Sequence, residues 1–191
     1  PAKVLSALPD MAELQALKFL GQLCDQIREI YRPGAQIVLC SDGRVFSDVV
    51  GMKEEDVTAY QDEVDRMIAD LGLDCIKTFN LDDLFEVQDY DHMREELMDQ
   101  FAYPLEQLKD QVRQAAKGST DPECQDAHRM YLGITRFLFE DSCHPGQTKS
   151  RTAIQKDAKA RAYEVIRRSY AWSGLVGQSV PDAVRLSIHP Q

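Results

Sequence analysis

Four consecutive residues, Ser41-Asp42-Gly43-Arg44, set a hydroxyl, a carboxylate, a glycine turn and a guanidinium directly behind an apolar run, Gln36 to Cys40. These groups suit the recognition of a small anion and the movement of a proton beside it. Glycine permits positive φ and close approach of the main chain to a ligand. Ser41 supplies a hydroxyl, Asp42 an acceptor or base, and Arg44 a planar fork that fits phosphate or carboxylate. The plain alternative is a solvated turn in which Asp42 bonds its own backbone. A second junction stands near the end of the chain, where Val184-Arg185-Leu186-Ser187-Ile188 runs into His189-Pro190-Gln191. Arg185 offers another guanidinium, and His189 an imidazole that titrates near neutrality and suits proton transfer. A third lies in His144 to Arg151, where Lys149 and Arg151 stand at the start of a basic helix. Helix N-termini present free N–H groups and the positive end of the dipole, so they attract anions. A capped helix with solvated cations explains the same residues.

Such groups act together only if strands and helices bring them to one edge. Ile37, Val38 and Leu39 in succession suit a strand buried on both faces, as parallel strands are. In open α/β sheets ligands bind outside the carboxyl ends of the strands, where Ser41 to Arg44 and His189 would then lie. Apolar residues at three- and four-residue steps predict a helix from Met11 to Tyr31, with Asp10 as N-cap and Arg32-Pro33-Gly34 as its end. A second helix follows from Lys53 to Leu71, acidic in its first turn and closed by Gly72. Leu73 to Phe79 is the next strand, and strand-helix-strand order fits a parallel crossover. Asn80 to Lys117 reads as acidic and helical, interrupted at Pro104. Beyond the break at Gly118 to Pro122, a helix to Glu140 would bury Ala127, Met130, Tyr131, Ile134, Phe137 and Leu138. A basic helix spans Ser150 to Trp172, capped by Thr148 or Ser150. Gly174 to Pro181 leads from it to a final strand, Val184 to Ile188. The fold class is α/β.

Composition narrows the possible functions. With 191 residues, 43% hydrophobic and 28% charged, the chain suits one soluble domain. No stretch approaches the roughly 20 apolar residues needed to cross a bilayer, and residues 1 to 16 lack the pattern of a leader peptide. The chain starts at Pro1 and halts just after a predicted strand, as a trimmed domain would. Its five cysteines include no C-x-x-C pair, which argues against a zinc ribbon or thioredoxin-type site and for reduced thiols in the cytoplasm. Cys124 and His128 lie one helical turn apart without companions, so no metal is implied. The net charge of −10 argues against general nucleic-acid binding. Residues 1 to 143 hold 14 Lys and Arg against 29 Asp and Glu, a net of −15, and residues 144 to 191 hold 8 against 3, a net of +5. A short basic segment on an acidic protein suits a small anion better than a long polyanion. A dehalogenase-type phosphatase would need two acids two residues apart, and Cys40 stands where the first would be.

Three segments give the chain a family resemblance: Ser41 to Asp48 with its continuation to Tyr60, Tyr163 to Ser169 with Ala171-Trp172-Ser173, and Val184 to Gln191. In content and order they resemble the isocyanide (isonitrile) synthase family, also called the pyoverdine/dityrosine biosynthesis family. The resemblance covers residues 15 to 191, more loosely between Asn80 and Cys143. It implies a single Rossmann-like domain over residues 1–191, a mostly parallel sheet flanked by helices with residues 80–143 as a helical insertion. Family members continue past the last residue here, which marks a C-terminally truncated domain. The implied activity converts the α-amino group of an amino acid to an isonitrile, with ribulose 5-phosphate as carbon donor, in cytoplasmic secondary metabolism. The implied partners are these two small molecules and an oxygenase or peptide-synthetase module, fused or separate, with no cofactor. Assigned by position within that chemistry, Lys149 and Arg151 hold the sugar phosphate, while Arg44 and Arg185 pair with carboxylate or phosphate. Ser41 and Asp42 orient sugar hydroxyls or move protons, Gly43 lets the backbone approach the substrate, and His189 is the general acid/base. Asp42, Lys149 and His189 are the catalytic candidates, Lys149 as the amine of an imine with the sugar, a role the amino-acid amine can fill instead. A non-catalytic module binding a phosphosugar or an amino acid within a larger protein is the alternative. Either reading requires these residues to share one positively lined hollow.

Overall fold

A computed structural model describes residues 8–86 and 89–186. Helix α1 (Met11–Ile30) starts at a capping box, in which the Asp10 carboxylate accepts from the Ala12 N–H and Glu13 accepts from the Asp10 N–H. Strand β1 (Ile37–Cys40) follows, then helices α2 (Gly43–Val50) and α3 (Glu54–Asp70), and then strand β2 (Ile76–Phe79). A 3-10 turn (Leu81–Leu84) leads to helices α4 (Tyr90–Phe101), α5 (Leu105–Ala116), α6 (Pro122–Ser142) and α7 (Arg151–Ser179). The fold is therefore mixed α/β and mostly helical. Its strands form one parallel pair, with Ile37 beside Ile76 and Cys40 beside Phe79. Both carboxyl ends fall on the same edge.

The spine is α7. Its Ala171, Trp172 and Val176 join Val45, Leu81, Met93 and Leu97 in one apolar cluster. Farther toward its start, Ile166 packs with Leu108, Val112 and Ala127, and Ala158 and Ala162 pack with Leu138. Alanines at 158 and 162 leave room for α6 to approach closely, so α5, α6 and α7 stack as one helical layer.

Several expectations change. The segment after β1 is not only a glycine turn but opens helix α2, whose end is set by Gly51 in the left-handed region at φ 78°. All four residues of β1 are half-buried rather than covered on both faces. Among the described residues the sheet has two strands, not the extended Rossmann-like sheet. Val184, Arg185 and Leu186 are exposed and outside any strand, while Ser187 to Gln191 lie outside the described residues. Helix α7 continues through Gly174 to Ser179 instead of breaking there. Gly174 faces Phe101, where a Cβ would stand 3.0 Å from the ring, so this glycine serves close packing and not a turn. Met130 and Phe137, expected in the core, are 37% and 49% exposed.

Candidate functional site at the carboxyl edge of the strands

Ser41 carries the parallel ladder one residue past β1, its N–H donating to the Phe79 carbonyl at 2.9 Å. Asp42 is exposed and stands at the N-cap of α2 without a side-chain bond to the helix amides. Gly43 opens α2 beneath α3, with room for a Cβ only 3.3 Å from Val57 Cγ1. Across the edge, Phe79 stacks on Trp172 of α7 with ring centroids 5.7 Å apart. The next α7 residue, Ser173, accepts a hydrogen bond from the Arg185 guanidinium. Arg185 also acts on Cys40: burial pushes that thiol up, and the guanidinium opposes it. Ser41, Asp42, Gly43 and Arg185 thus gather around one strand edge. That edge offers a helix N-terminus and a guanidinium to an anion, with a carboxylate beside them to carry a proton.

Arg44 is placed differently from the sequence-based expectation. Its side chain shows no exposure and points into the protein, not to the edge. It donates to the Glu54 carboxylate at 2.7 Å, the Glu54 carbonyl at 3.0 Å, Thr58 Oγ1 at 2.8 Å and Gln61 Oε1 at 3.2 Å. Asp82 lies 3.4 Å away, and the guanidinium rests 4.0 Å over the Tyr90 ring. A buried guanidinium demands partners; α3 supplies them to both terminal nitrogens through Glu54, Thr58 and Gln61, while Nε is buried without a hydrogen bond.

Lys149 and Arg151 belong to another part of the surface. Ser150 caps α7, accepting from the Ala153 N–H at 3.2 Å. Arg151 is exposed, with its guanidinium 5.2 Å from the centre of the Phe139 ring. Lys149 lines a cleft of about 260 Å³ with Asp48, Ser142, Gln147, Asp157 and Arg161. From Arg151 to Ser173 the helix rises 1.5 Å per residue, so the two basic patches stand about 33 Å apart. The single hollow expected from the sequence is divided, and Lys149 and Arg151 do not meet Ser41, Asp42 or Arg185. His189 lies outside the described residues.

The residues that sequence reasoning passed over lie behind the edge. Arg94 of α4 and Arg168 of α7 reach α2 together with Ser47, Asp48 and Glu54. Burial alone would raise the Asp48 carboxyl, yet the hydrogen bonds and charge of Arg168, with the charge of Arg94, hold it below the ordinary carboxylate value. Glu54 behaves likewise, held down by Arg44, Arg94 and Ser47 against its own burial. A signal was available: Arg44, Ser47 and Asp48 follow the helical i, i+3, i+4 spacing. Among the described residues no group of three or more His, Cys, Asp or Glu converges as a metal site, and no helix is long and apolar enough to cross a membrane.

Comparison with known proteins adds four findings. The family described as pyoverdine/dityrosine biosynthesis protein matches residues 1–191. The chain is 47% identical over 189 residues to the L-tryptophan isonitrile synthase AmbI2 of Fischerella ambigua, covering 99% of this chain and 54% of that protein. It is 44% identical over 195 residues to the L-tyrosine isonitrile synthase of Pseudomonas aeruginosa, covering 100% of this chain and 57% of that protein. The crystal structure of the PvcA protein from Pseudomonas aeruginosa superposes with a TM-score of 0.88 at 42% identity, covering 100% of this chain and 61% of that one. The chain spans about half the length of the curated relatives it matches.

Proposed function

This chain belongs to the pyoverdine/dityrosine biosynthesis protein family, and from that premise we propose that it takes part in isonitrile synthesis, converting the α-amino group of an aromatic amino acid with ribulose 5-phosphate as the carbon donor. The relatives named for L-tryptophan and L-tyrosine support the aromatic substrate. The observation that carries the reading is the gathering of Ser41, Asp42, Gly43 and Arg185 at one strand edge within a chain so close to these synthases. In the first step the amine nitrogen adds to the sugar ketone, and the former carbonyl oxygen becomes a hydroxyl. Loss of that hydroxyl as water leaves an imine. Across the two steps the amine nitrogen gives up two protons and the oxygen takes up two, one on becoming the hydroxyl and one on leaving as water, and the exposed Asp42 carboxylate relays them. Arg185 and the opening N–H groups of α2 hold the anionic end of a substrate, and Ser41 orients a sugar hydroxyl. His189 is assigned a second acid/base role. The work belongs to secondary metabolism in the cytoplasm, alongside an oxygenase or peptide-synthetase module.

The test is direct. Incubation with L-tryptophan or L-tyrosine and ribulose 5-phosphate should release inorganic phosphate and yield a product with the isonitrile infrared stretch. Asp42→Asn should lower kcat by about 100-fold, the scale of a lost general acid/base. No product from aromatic or aliphatic amino acids, with the protein folded, overturns the assignment. Heat of binding to ribulose 5-phosphate without turnover would instead identify a non-catalytic module.

A further inference from the structure

Helix α2 is held by its main chain. Arg94, reaching from α4, donates to the Arg44 carbonyl at 3.1 Å and to Ser47 Oγ at 3.1 Å. Arg168, reaching from α7, donates to the Val45 carbonyl at 2.7 Å and to both oxygens of Asp48. Glu54 ties the arrangement together. One of its oxygens accepts from Arg44 at 2.7 Å, and the other accepts from Arg94 and from the Ser47 hydroxyl, each at 2.8 Å. The three arginines are 0%, 6% and 9% exposed. A core made only for stability has little use for three buried guanidinium groups, because apolar residues of similar volume stabilise as well or better. What such groups do well is fix orientation.

Orientation matters for this helix. Its eight residues make a rod about 12 Å long, too short to be stable by itself. A pivot of about 10° around its far end would carry its first turn about 2 Å away from the strand edge. Reactive geometries tolerate less than that, and a displacement of about 1 Å can cost a hundredfold in rate.

Resting on the reading of that edge as the substrate site, we propose that Arg94 and Arg168 are positioning residues that clamp α2 from two different helices and so keep the Ser41-Asp42-Gly43 turn in place. Neither touches substrate. Each reaches one backbone carbonyl of α2 together with side-chain oxygens of Ser47, Asp48 or Glu54, and a planar fork serves two or three acceptors at once where a lysine serves them poorly.

Arg94→Lys and Arg168→Lys keep the charge and remove the fork. Two measurements judge them: backbone hydrogen exchange across residues 43–50, and KM for ribulose 5-phosphate against KM for the amino acid. Exchange in α2 should quicken at least tenfold with α5 and α6 unchanged, and KM for ribulose 5-phosphate should rise about tenfold. Should either arginine variant fail to fold, Ser47→Ala, which removes a partner of both Arg94 and Glu54, carries the same two readouts. Unchanged exchange in α2 overturns the proposal. So does a fall in kcat that follows the folded fraction while both KM values stay fixed, since that is what a merely structural role predicts. A wild-type protein inert toward both substrates defeats the functional reading instead, and the exchange measurement then decides the clamp by itself.

Discussion

Arg44 has no exposed side-chain surface, yet it meets Glu54, Thr58, Gln61, Asp82 and the face of Tyr90. Arg44→Met would keep the volume and leave the Glu54 and Asp82 carboxylates facing a loss of charge. Breaking one partner from a buried pair costs about 3 kcal/mol or more, so denaturant unfolding should show a loss of that size, only partly recovered by Arg44→Lys. The same cluster gives the stability a direction in pH. Asp48 and Glu54 titrate lower in the folded protein than in the unfolded chain, so their contribution is complete above the unfolded carboxylate pKa near about 4. It disappears as pH falls below that value toward the lowered folded pKa values. Unfolding measured between neutral and acidic pH should therefore show stability declining on the acid side, and Glu54→Gln should flatten that decline.

Glycines at the level of elements divide into those that packing requires and those it does not. Gly133 in α6 and Gly177 in α7 would each place a Cβ in open space, whereas Gly174 presses on Phe101. Alanine at an unhindered helical position gains up to about 1 kcal/mol. Gly133→Ala should raise the melting temperature, Gly177→Ala should raise it less because it lies in the last turn, and Gly174→Ala should fail to raise it. Long elements were legible in the sequence for a related reason. The apolar steps of α1, α3 and α6, the Asp10 and Ser150 caps and the Pro104 interruption are local signals, and the fold keeps them except at Met130 and Phe137, which α6 leaves exposed. Helix α2 was not legible, because Ser-Asp-Gly favours a turn locally and the arginines that hold the helix come from 50 and 123 residues away. The run past Trp172 was misread because Gly174 resembles a stop signal while acting as a packing contact.

At the scale of the whole molecule, the length of α7 separates what the charge pattern seemed to unite. A net of +5 in the last 48 residues is a property of sequence, but a 29-residue helix spreads those cations from Lys149 to Arg185. If the strand edge is the substrate site, Arg185→Ala should raise KM for ribulose 5-phosphate about tenfold or more, the scale of a charged contact. Lys149→Ala and Arg151→Ala should leave it unchanged. Steady-state kinetics on the three variants would reveal the reverse order if the start of α7 were the phosphate site. The residue types around the edge were readable from sequence, whereas the distance between patches depended on a helix end that no local rule supplied. The grip on α2 has a consequence for how such proteins diversify. Carbonyl oxygens are present whatever amino acid occupies a position, so this part of the anchorage does not depend on the side chain at the gripped position, whereas drift at Phe46 and Val50 is held to apolar residues by the clusters they pack against.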